Sequence, residues 1–268
     1  MFRWAAEEEL LPGSIYQNLR AVANLRAGRS QAREAPKVRP VPHEHIDAAL
    51  PHMPPVVQAM VRFQLLTGCR PAEVCMVRPM DLDTTFPSCW VYRPGSDQGA
   101  HGAHKTAHHG CERLIFIGPK AQLALAPYLN SEAEAYCFSP GEAEVRRHSL
   151  RRASQGGALS PILERRSAKR RQRAPRGRYD THSYRRAIAR ACQKADKQAR
   201  SSAAPGLHTQ VVIPTWGPNR LRHNRATELR RHGLDVAKTI LGHTKVETTQ
   251  IYAEKDMRAA MDLVAVIG

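Results

Sequence analysis

The chain has 268 residues, enough to bury a substantial core in one large domain or two small ones. Hydrophobic residues make up 42% and charged residues 24%, as in ordinary globular proteins. No run of about 18 apolar residues occurs, which excludes a membrane-spanning helix. The 41 Lys and Arg against 24 Asp and Glu give a net charge of +17, so the expected partner is a polyanion. The alternative is an unfolded basic tail on an unrelated domain.

The cysteines and the amino-terminal residues indicate the compartment. No C-x-x-C pair occurs among the six cysteines, so we expect reduced and mostly buried thiols (Cys69, Cys75, Cys89, Cys111, Cys137 and Cys192). Residues 1–9 are acidic and amphipathic, unlike a secretory signal. Both observations predict a cytoplasmic protein.

The first 71 residues predict helices with clear breaks. Apolar residues at helical spacing predict one helix over 6–27, interrupted at Pro12-Gly13, and a basic, Pro-containing linker follows over 28–42. Short and long helices are predicted over 43–50 and 56–66. The second should end at Gly68, with Pro71 in the first turn of the next helix.

The middle and the end of the chain add a few strands to a helical pattern. Residues 89–93 and 113–117 have the β-branched and aromatic content of strands, and 135–138 is a further short candidate. Helices are predicted over 119–129 and from about 180 to 197, and three or four more follow Pro218. The fold class is therefore mainly α with a small antiparallel β-sheet (α+β).

Between residues 146 and 178 the composition becomes strongly basic. This segment contains twelve basic residues and a single acidic residue, Glu164. Its Gly and Pro residues would interrupt any helix. We expect it to be flexible without a ligand and to bind nucleic-acid phosphates. The candidate contacts are Arg146, Arg147, Arg151, Arg152, Arg165, Arg166, Lys169, Arg170, Arg171 and Arg173.

Two arginines and a tyrosine stand in settings that indicate phosphoryl transfer. Arg70 follows a predicted helix end, and Arg222 lies within a predicted helix. Guanidinium forks pair bidentately with phosphate oxygens and stay charged at any working pH. The hydroxyl of Tyr252, nine positions after His243, can attack phosphorus and hold the product as a covalent ester. This combination in a basic chain indicates cutting and rejoining of DNA.

Five short motifs occur in a fixed order along the chain. They are Thr-Gly-x-Arg-x-x-Glu at 67–73, Lys-Thr…Arg at 105–113, Leu-Arg-His at 221–223, Leu-Gly-His at 241–243 and Thr-x-x-Tyr at 249–252. In this order and spacing they resemble the tyrosine recombinase (phage integrase) family. The resemblance covers roughly residues 42–268 and implies the catalytic-domain fold of that family.

The resemblance also implies roles for individual residues. Tyr252 is the nucleophile, Arg70, Arg222 and His243 stabilise the transition state, and Lys105 protonates the leaving 5′ oxygen. Glu73 orients the guanidinium of Arg70, and His223 supports the structure.

The histidines near Lys105 and the nearby Cys111 raise the question of zinc. These residues are not spaced as pairs of zinc ligands on a rigid element, so we expect no bound metal. We expect no cofactor either, because bond energy is stored in the covalent link.

Two features depart from the family pattern. A histidine usually stands three residues before the second arginine, where this chain has Asn219, which cannot accept a proton. We expect Asn219 to position the phosphate or the tyrosine by hydrogen bonding. Only about 40 residues precede the catalytic core, so 1–41 is interpreted as a helix and linker remaining from a largely missing DNA-binding domain. Residues 42–268 form the catalytic domain.

The expected function is site-specific recombination or integration of double-stranded DNA through a 3′-phosphotyrosyl intermediate. The resemblance implies that the carboxy-terminal helix docks on a neighbouring copy and that a homotetramer assembles on paired sites. Residues 258–267 have the apolar face for this docking (with Met257, Ala260, Met261, Leu263 and Val264). Two alternatives remain at this point. One is a catalytically impaired DNA-binding remnant of a mobile-element integrase, and the other is a type IB topoisomerase-like activity that relaxes supercoils without a specific site.

Overall fold

The computed structural model describes most of the chain up to residue 242. The described residues are 1–23, 25, 28–29, 31, 33, 38–95, 113–129, 132–141, 143–145, 149, 153, 176–202 and 212–242. Two compact units are formed, Met1–Val38 and Arg39–Gly268.

The first unit contains two short helices, α1 (Phe2–Glu7) and α2 (Gly13–Ala21). The predicted interruption at Pro12-Gly13 is confirmed, although the chain already leaves the helical conformation after Glu7, and Glu9 adopts a positive φ of 56°. The predicted apolar face of α2 is exposed, with 43% of Ile15 and 44% of Leu19 accessible to solvent. This unit therefore contributes no buried apolar side chain along its two helices.

The second unit begins with three helices that follow the local sequence signals. These are α3 (His43–Ala49), α4 (Pro55–Thr67) and α5 (Pro71–Cys75). Gly68 ends α4 in the left-handed conformation with φ of 68°, which glycine adopts at low cost. Proline suits the first turn of α5 because that position needs no amide donor. The predicted helix ends are confirmed here to within a residue or two.

A three-stranded antiparallel sheet follows, in the order β1-β2-β3. Its strands are β1 (Leu82–Asp83), β2 (Trp90–Tyr92) and β3 (Ile115–Ile117), with Tyr92 opposite Ile115. The strand predicted over 135–138 is wrong. That stretch is a series of bends in which the amide of Cys137 donates to the carbonyl of Val77 at 2.9 Å, and Phe138 is buried against Phe63.

Four further helices of the second unit lie wholly within the described ranges. They are α6 (Pro119–Leu125), α7 (Thr181–Ser201), α8 (Asn219–Arg230) and α9 (Leu234–Leu241). The helix predicted over 119–129 continues as a 3-10 turn at Ala126–Tyr128. Asp180 caps α7 by accepting the amide of Ser183 at 2.6 Å. The predicted fold class, mainly helical with a small antiparallel sheet, is confirmed.

The core of the second unit positions the motifs. Helix α4 is buried on most of its surface and packs against α6, α7, α8 and β3. A smaller apolar cluster joins α8 to α9 through Ala226, Leu229, Ala237 and Leu241. The end of α4 and the ends of β3, α8 and α9 are therefore held by one packed framework. In the described part of the chain, no helix is long and apolar enough to cross a membrane.

Candidate active site

The turn that carries Arg70 is fixed by buried hydrogen bonds. Thr67 Oγ1 donates to the carbonyl of Phe63 at 2.7 Å, and Gln64 Nε2 donates to the carbonyl of Cys69 at 3.1 Å. The hydroxyl of Tyr184 on α7 donates in turn to Gln64 Oε1 at 3.0 Å. All of these side chains are buried, so the backbone from which Arg70 projects is rigidly supported.

Arg70 and Glu73 form a cap and an ion pair at the start of α5. Glu73 Oε2 accepts the amide of Arg70 at 2.6 Å, and Glu73 Oε1 accepts Arg70 Nη1 at 2.8 Å. The side chain of Glu73 is 1% exposed, whereas that of Arg70 is 21% exposed. Glu73 therefore fixes the direction of the Arg70 guanidinium while part of that guanidinium remains open to solvent.

Arg222 crosses from α8 to the two other motifs. Its Nη1 donates to the carbonyl of Gly68 at 2.6 Å, and its Nη2 donates to the carbonyl of Leu241 at 2.7 Å. The residue is 1% exposed. One buried guanidinium thus joins the Thr-Gly-x-Arg turn to the Leu-Gly-His turn.

A third arginine, Arg113, belongs to the same cluster. Its Nε donates to Glu73 Oε1 at 3.2 Å, and its Nη1 donates to the carbonyl oxygens of Leu114 at 3.0 Å and Ile240 at 3.3 Å. In the sequence this arginine is only the last letter of the hairpin motif, and no role is predicted for it there. Its place directly before a strand, at the end of a recognised motif, is the signal that could have identified it.

The cluster carries more positive than negative charge. Three guanidinium groups surround the single carboxylate of Glu73. Burial disfavours the ionised carboxyl, but Arg113 and Arg70 outweigh burial and hold the pKa of Glu73 below its ordinary value. Burial, followed by repulsion from Arg70, lowers the pKa of Arg222 to about 10. Glu73 and Arg222 are therefore both ionised at neutral pH, and an added anion would relieve the repulsion between the arginines.

Asn219 and His223 occupy different environments on α8. Asn219 is the first residue of the helix and is exposed, and its side chain makes no hydrogen bond with any residue in the described ranges. His223 is 5% exposed and packs in the interior. Farther along the helix, the side chain of Asn224 bonds to the backbone of the buried Val41. Its Oδ1 accepts the Val41 amide at 2.8 Å, and its Nδ2 donates to the Val41 carbonyl at 2.7 Å.

Several predicted site residues lie outside the described residues. These are Lys105, His243, Tyr252, the basic residues assigned to DNA contacts, the carboxy-terminal helix and the histidine-rich hairpin with Cys111. Within the described ranges, no group of three or more His, Cys, Asp or Glu side chains is arranged to hold a metal. The described part of the site is thus the arginine and carboxylate cluster.

A separate groove of about 1060 Å³ opens between α4, α6 and α8. Leu65, Leu66 and Leu123 give it an apolar floor, and its rim carries the basic residues Arg62, Lys120 and Arg231. Leu123 is 76% exposed and lies beside the half-buried Leu65 and Leu66, so the three leucines form one apolar surface. An exposed apolar surface rimmed by charge is typical of an interaction site.

Comparisons with known proteins identify the family. The model of the phage integrase family matches residues 44–259. The XerA recombinase crystal structure is similar at 18% identity and a TM-score of 0.51, covering 98% of this chain and 78% of that one. The Tn1549 transposon integrase in complex with circular intermediate DNA is similar at 16% identity and a TM-score of 0.56, covering 94% and 76% of the two chains. The comparison with curated protein sequences finds no match.

The structural likeness, at these identities, establishes the shared fold, and the family match establishes membership. The resemblance inferred from the five motifs is confirmed, and neither the DNA-binding remnant nor the topoisomerase alternative is favoured. The chain belongs to the phage integrase family, whose members are tyrosine-type site-specific recombinases.

Proposed function

We propose that this recombinase cleaves and rejoins double-stranded DNA with Tyr252 as nucleophile and Arg70 and Arg222 as phosphate ligands. The observation that carries this proposal is the convergence of the two motif arginines on one turn: Arg70 projects from it, and Arg222 donates to its Gly68 carbonyl. Phosphodiester cleavage needs an aligned nucleophile and stabilisation of charge on the phosphoryl oxygens. A cluster with excess positive charge and one partly open guanidinium supplies the second requirement.

The proposed DNA cleavage step needs no cofactor. The phenolic oxygen of Tyr252 gives up its proton to solvent water and forms a bond to phosphorus as the bond from phosphorus to the 5′ oxygen breaks, which leaves a 3′-phosphotyrosyl ester. Lys105 gives a proton to the departing 5′ oxygen, and His243 donates a hydrogen bond to a non-bridging oxygen. A 5′ hydroxyl from a partner strand then reverses the step. One phosphodiester is exchanged for another, so neither ATP nor a metal is required.

Asn219 takes a positioning role in this proposal. It replaces the histidine usual in the family, and an amide cannot accept the proton of the tyrosine hydroxyl. Its exposure at the start of α8, on the helix that carries Arg222, supports a hydrogen bond to the phosphate or to Tyr252. The supporting roles proposed for Glu73 and His223 rest on the ion pair with Arg70 and on burial, respectively.

Double-stranded DNA is the proposed substrate, and the basic segment over 146–178 is the proposed phosphate-binding surface. The net charge of +17 supports a polyanionic partner. The Tn1549 integrase, which shares the fold, is described in complex with DNA. Under this proposal the protein acts in the cytoplasm, and residues 42–268 form the catalytic domain, preceded by a helix and linker over 1–41.

Assembly into a homotetramer is proposed through the apolar groove. The proposed occupant is the segment 257–264 of a second copy, which carries apolar residues at helical spacing and belongs to a slightly acidic end of the chain. The segment carries one base and one acid, so Asp262 can pair with the basic residues of the rim and Arg258 with Glu228, which also lines the groove. Paired DNA sites would bring four copies together.

A covalent-capture experiment tests the proposed function and does not require a known target sequence. The full chain is incubated with a pool of labelled nicked duplexes that share a randomised core. Cleavage next to the nick releases a short oligonucleotide, so the ester cannot be reversed. Adducts that survive denaturation are recovered and sequenced. Adduct formation that depends on Tyr252 and selects one core sequence is the expected result.

The controls separate the alternatives. Tyr252→Phe should form no adduct, whereas Tyr16→Phe in the first unit should react like the wild type. Selective binding without any adduct would contradict the proposal and favour the DNA-binding remnant. Relaxation of a supercoiled plasmid that lacks the selected sequence would favour the topoisomerase. Unselective, Tyr252-independent labelling would also contradict the proposal.

A further inference from the structure

We propose that Arg113 is a positioning residue of the recombinase site, which couples the ion pair of Arg70 to the turn that precedes His243. This inference rests on the function proposed above and extends it to a residue outside the expected catalytic set. Four observations support it: the burial of Arg113, its two-sided contacts, its packing on Gly242 and the charge that it contributes beside Glu73.

Arg113 lies in the interior between two motifs. Its side chain is 3% exposed and bonds on one side to Glu73 Oε1, the same oxygen that receives Arg70 Nη1. On the other side, its Nη1 donates to the carbonyl of Ile240 in the last turn of α9. A shift of Arg113 would therefore move the partner of Arg70 and the end of α9 together.

Gly242 makes room for this contact. It ends α9 in the left-handed conformation with φ of 63°, and a Cβ built there would lie 3.0 Å from Arg113 Cζ and closer still to Nη1. Any side chain at this position would displace the guanidinium. The glycine of the Leu-Gly-His motif thus serves both the helix end and the close approach of Arg113.

Arg113 also contributes to keeping Glu73 ionised. The charged groups that face Glu73 are Arg70 from the start of α5, Arg113 from the start of β3 and Arg222 from α8. The neutral hydroxyl of Tyr92 donates to the carbonyl of Glu73 at 2.9 Å, and the thiol of Cys69 is buried nearby. A protonated Glu73 would hold Arg70 less firmly, because the ion pair would become a hydrogen bond between neutral and charged groups.

One donor of Arg113 is left unsatisfied. Its Nη2 is buried, and no hydrogen-bond partner lies within reach among the described residues. An unpaired buried donor of a charged group is costly and uncommon in an interior selected for stability alone. Arg225 Nε is in the same state away from this contact, so the inference rests on the bonds made by Nε and Nη1 of Arg113.

The first test measures the Glu73 carboxyl directly and needs no DNA. Wild type, Arg113→Met and Arg113→Lys are labelled with carbon-13 at the glutamate carboxyl, and the Glu73 signal is assigned by its loss in Glu73→Gln. We expect the pKa of Glu73 to rise in Arg113→Met and to stay near the wild-type value in Arg113→Lys. The control is Arg78→Met, which removes another buried arginine, one that pairs with Asp81.

The second test measures adduct formation on the duplex selected above. Arg113→Met should slow cleavage by about tenfold or more, the loss expected for a buried charge-assisted hydrogen bond, and move the acid limb of the rate profile to higher pH. Arg113→Lys should restore the acid limb but not the full rate, because one ammonium cannot reach Glu73 and Ile240 together. Arg78→Met loses a buried ion pair away from Glu73, so it should slow adduct formation without moving the pH dependence of that rate.

The outcomes distinguish this inference from the proposed function. If the pKa of Glu73 and the acid limb of the rate profile are the same in Arg113→Met as in Arg78→Met, then Arg113 contributes only to stability and the inference is wrong. If Arg113→Met does not fold, Arg113→Lys and Gly242→Ala decide: unchanged cleavage in both would also overturn it. If the wild type forms no adduct at all, the proposed chemistry fails, while the carboxyl titration still decides whether Arg113 controls Glu73.

Discussion

Arg222 Nη1 donates to the carbonyl oxygen of Gly68 at 2.6 Å, a contact between residues 154 positions apart in the sequence. The same guanidinium donates to the carbonyl of Leu241, so one side chain holds the turns that carry Arg70 and precede His243. A guanidinium fork suits this task, because its donors are fixed in one plane and cannot be reproduced by a lysine. The motif arginine therefore has a structural function in addition to its proposed contact with phosphate.

Replacement of Gly68 should expose the importance of that turn. In Gly68→Ala the new Cβ would lie 2.8 Å from Leu241 Cδ2 and 2.9 Å from Arg225 Cγ, at a φ of 68° that alanine adopts poorly. We expect a loss of about 2 to 4 kcal/mol in the free energy of unfolding, measured in urea. The control is Gly118→Ala, where φ is −74° and a Cβ meets no atom within 4 Å. A loss in Gly68→Ala no larger than in the control would contradict the packing described here.

Local signals predicted the elements that surround the site. Gly68 and Pro71 are nearby residues with strong conformational preferences, and they marked the end of α4 and the start of α5. Strand β1 has only two residues, too few for any periodic pattern. The apolar stretch at 135–138 has the composition of a strand, but its residues Cys137 and Phe138 are buried from an irregular segment, and composition alone does not distinguish the two.

The contacts within the site depend on packing that the sequence does not display. The motifs predicted that Arg70 and Arg222 serve one site, and the family resemblance implied that Glu73 orients Arg70. Nothing in the sequence relates Arg113 to Ile240, because their contact depends on how β3 packs beside α9. Such non-local contacts follow from the core, and the core is visible only once the chain is folded.

Asn219→Ala should separate stability from chemistry. The side chain of Asn219 is exposed and makes no hydrogen bond in the described part of the chain, so the free energy of unfolding should change by no more than about 0.5 kcal/mol. Cleavage of a nicked substrate should nevertheless slow by about tenfold if the amide positions the phosphate or the tyrosine. Single-turnover rates of adduct formation measure this, with Asn219→Gln as the conservative partner. Cleavage as fast as in the wild type would refute the positioning role.

The ionisation of Glu73 should make the free energy of unfolding depend on pH in the acid range. Arg113 and Arg70 outweigh burial and lower the folded-state pKa below the ordinary value of 4.5. A depressed pKa contributes stability above the unfolded value, and that contribution disappears as the pH falls through the folded value. We therefore expect the wild type to lose more unfolding free energy than Glu73→Gln between neutral pH and about pH 3.

Urea unfolding at several pH values measures this difference. The control variant is Glu44→Gln, a change at an exposed carboxylate in α3, which should keep the acid dependence of the wild type. Parallel acid curves for the wild type and Glu73→Gln would mean that the ion pairs at Glu73 do not favour its ionised form.

The groove proposed for assembly can be tested at Leu123. The side chain is 76% exposed, so Leu123→Asp should leave the free energy of unfolding within about 0.5 kcal/mol of the wild type. Loss of an apolar anchor should weaken assembly on paired DNA sites by about tenfold, detectable by native gel mobility or light scattering. Val145→Asp is the matched control, since Val145 is 71% exposed and does not line the groove. Equal assembly by both variants would place the interface elsewhere.

The basic segment should determine how strongly salt weakens DNA binding. Each phosphate neutralised by a protein cation steepens the fall of log affinity with log salt by about 0.9. Replacement of Arg165, Arg166, Lys169, Arg170, Arg171 and Arg173 by glutamine should therefore flatten the slope by several units, with little dependence on DNA sequence. The exposed arginines Arg185, Arg186 and Arg190 of α7 provide a control in which fewer charges are removed from an ordered helix. Fluorescence anisotropy across a salt series gives both slopes, and an unchanged slope in the first variant would mean that the segment does not contact phosphates.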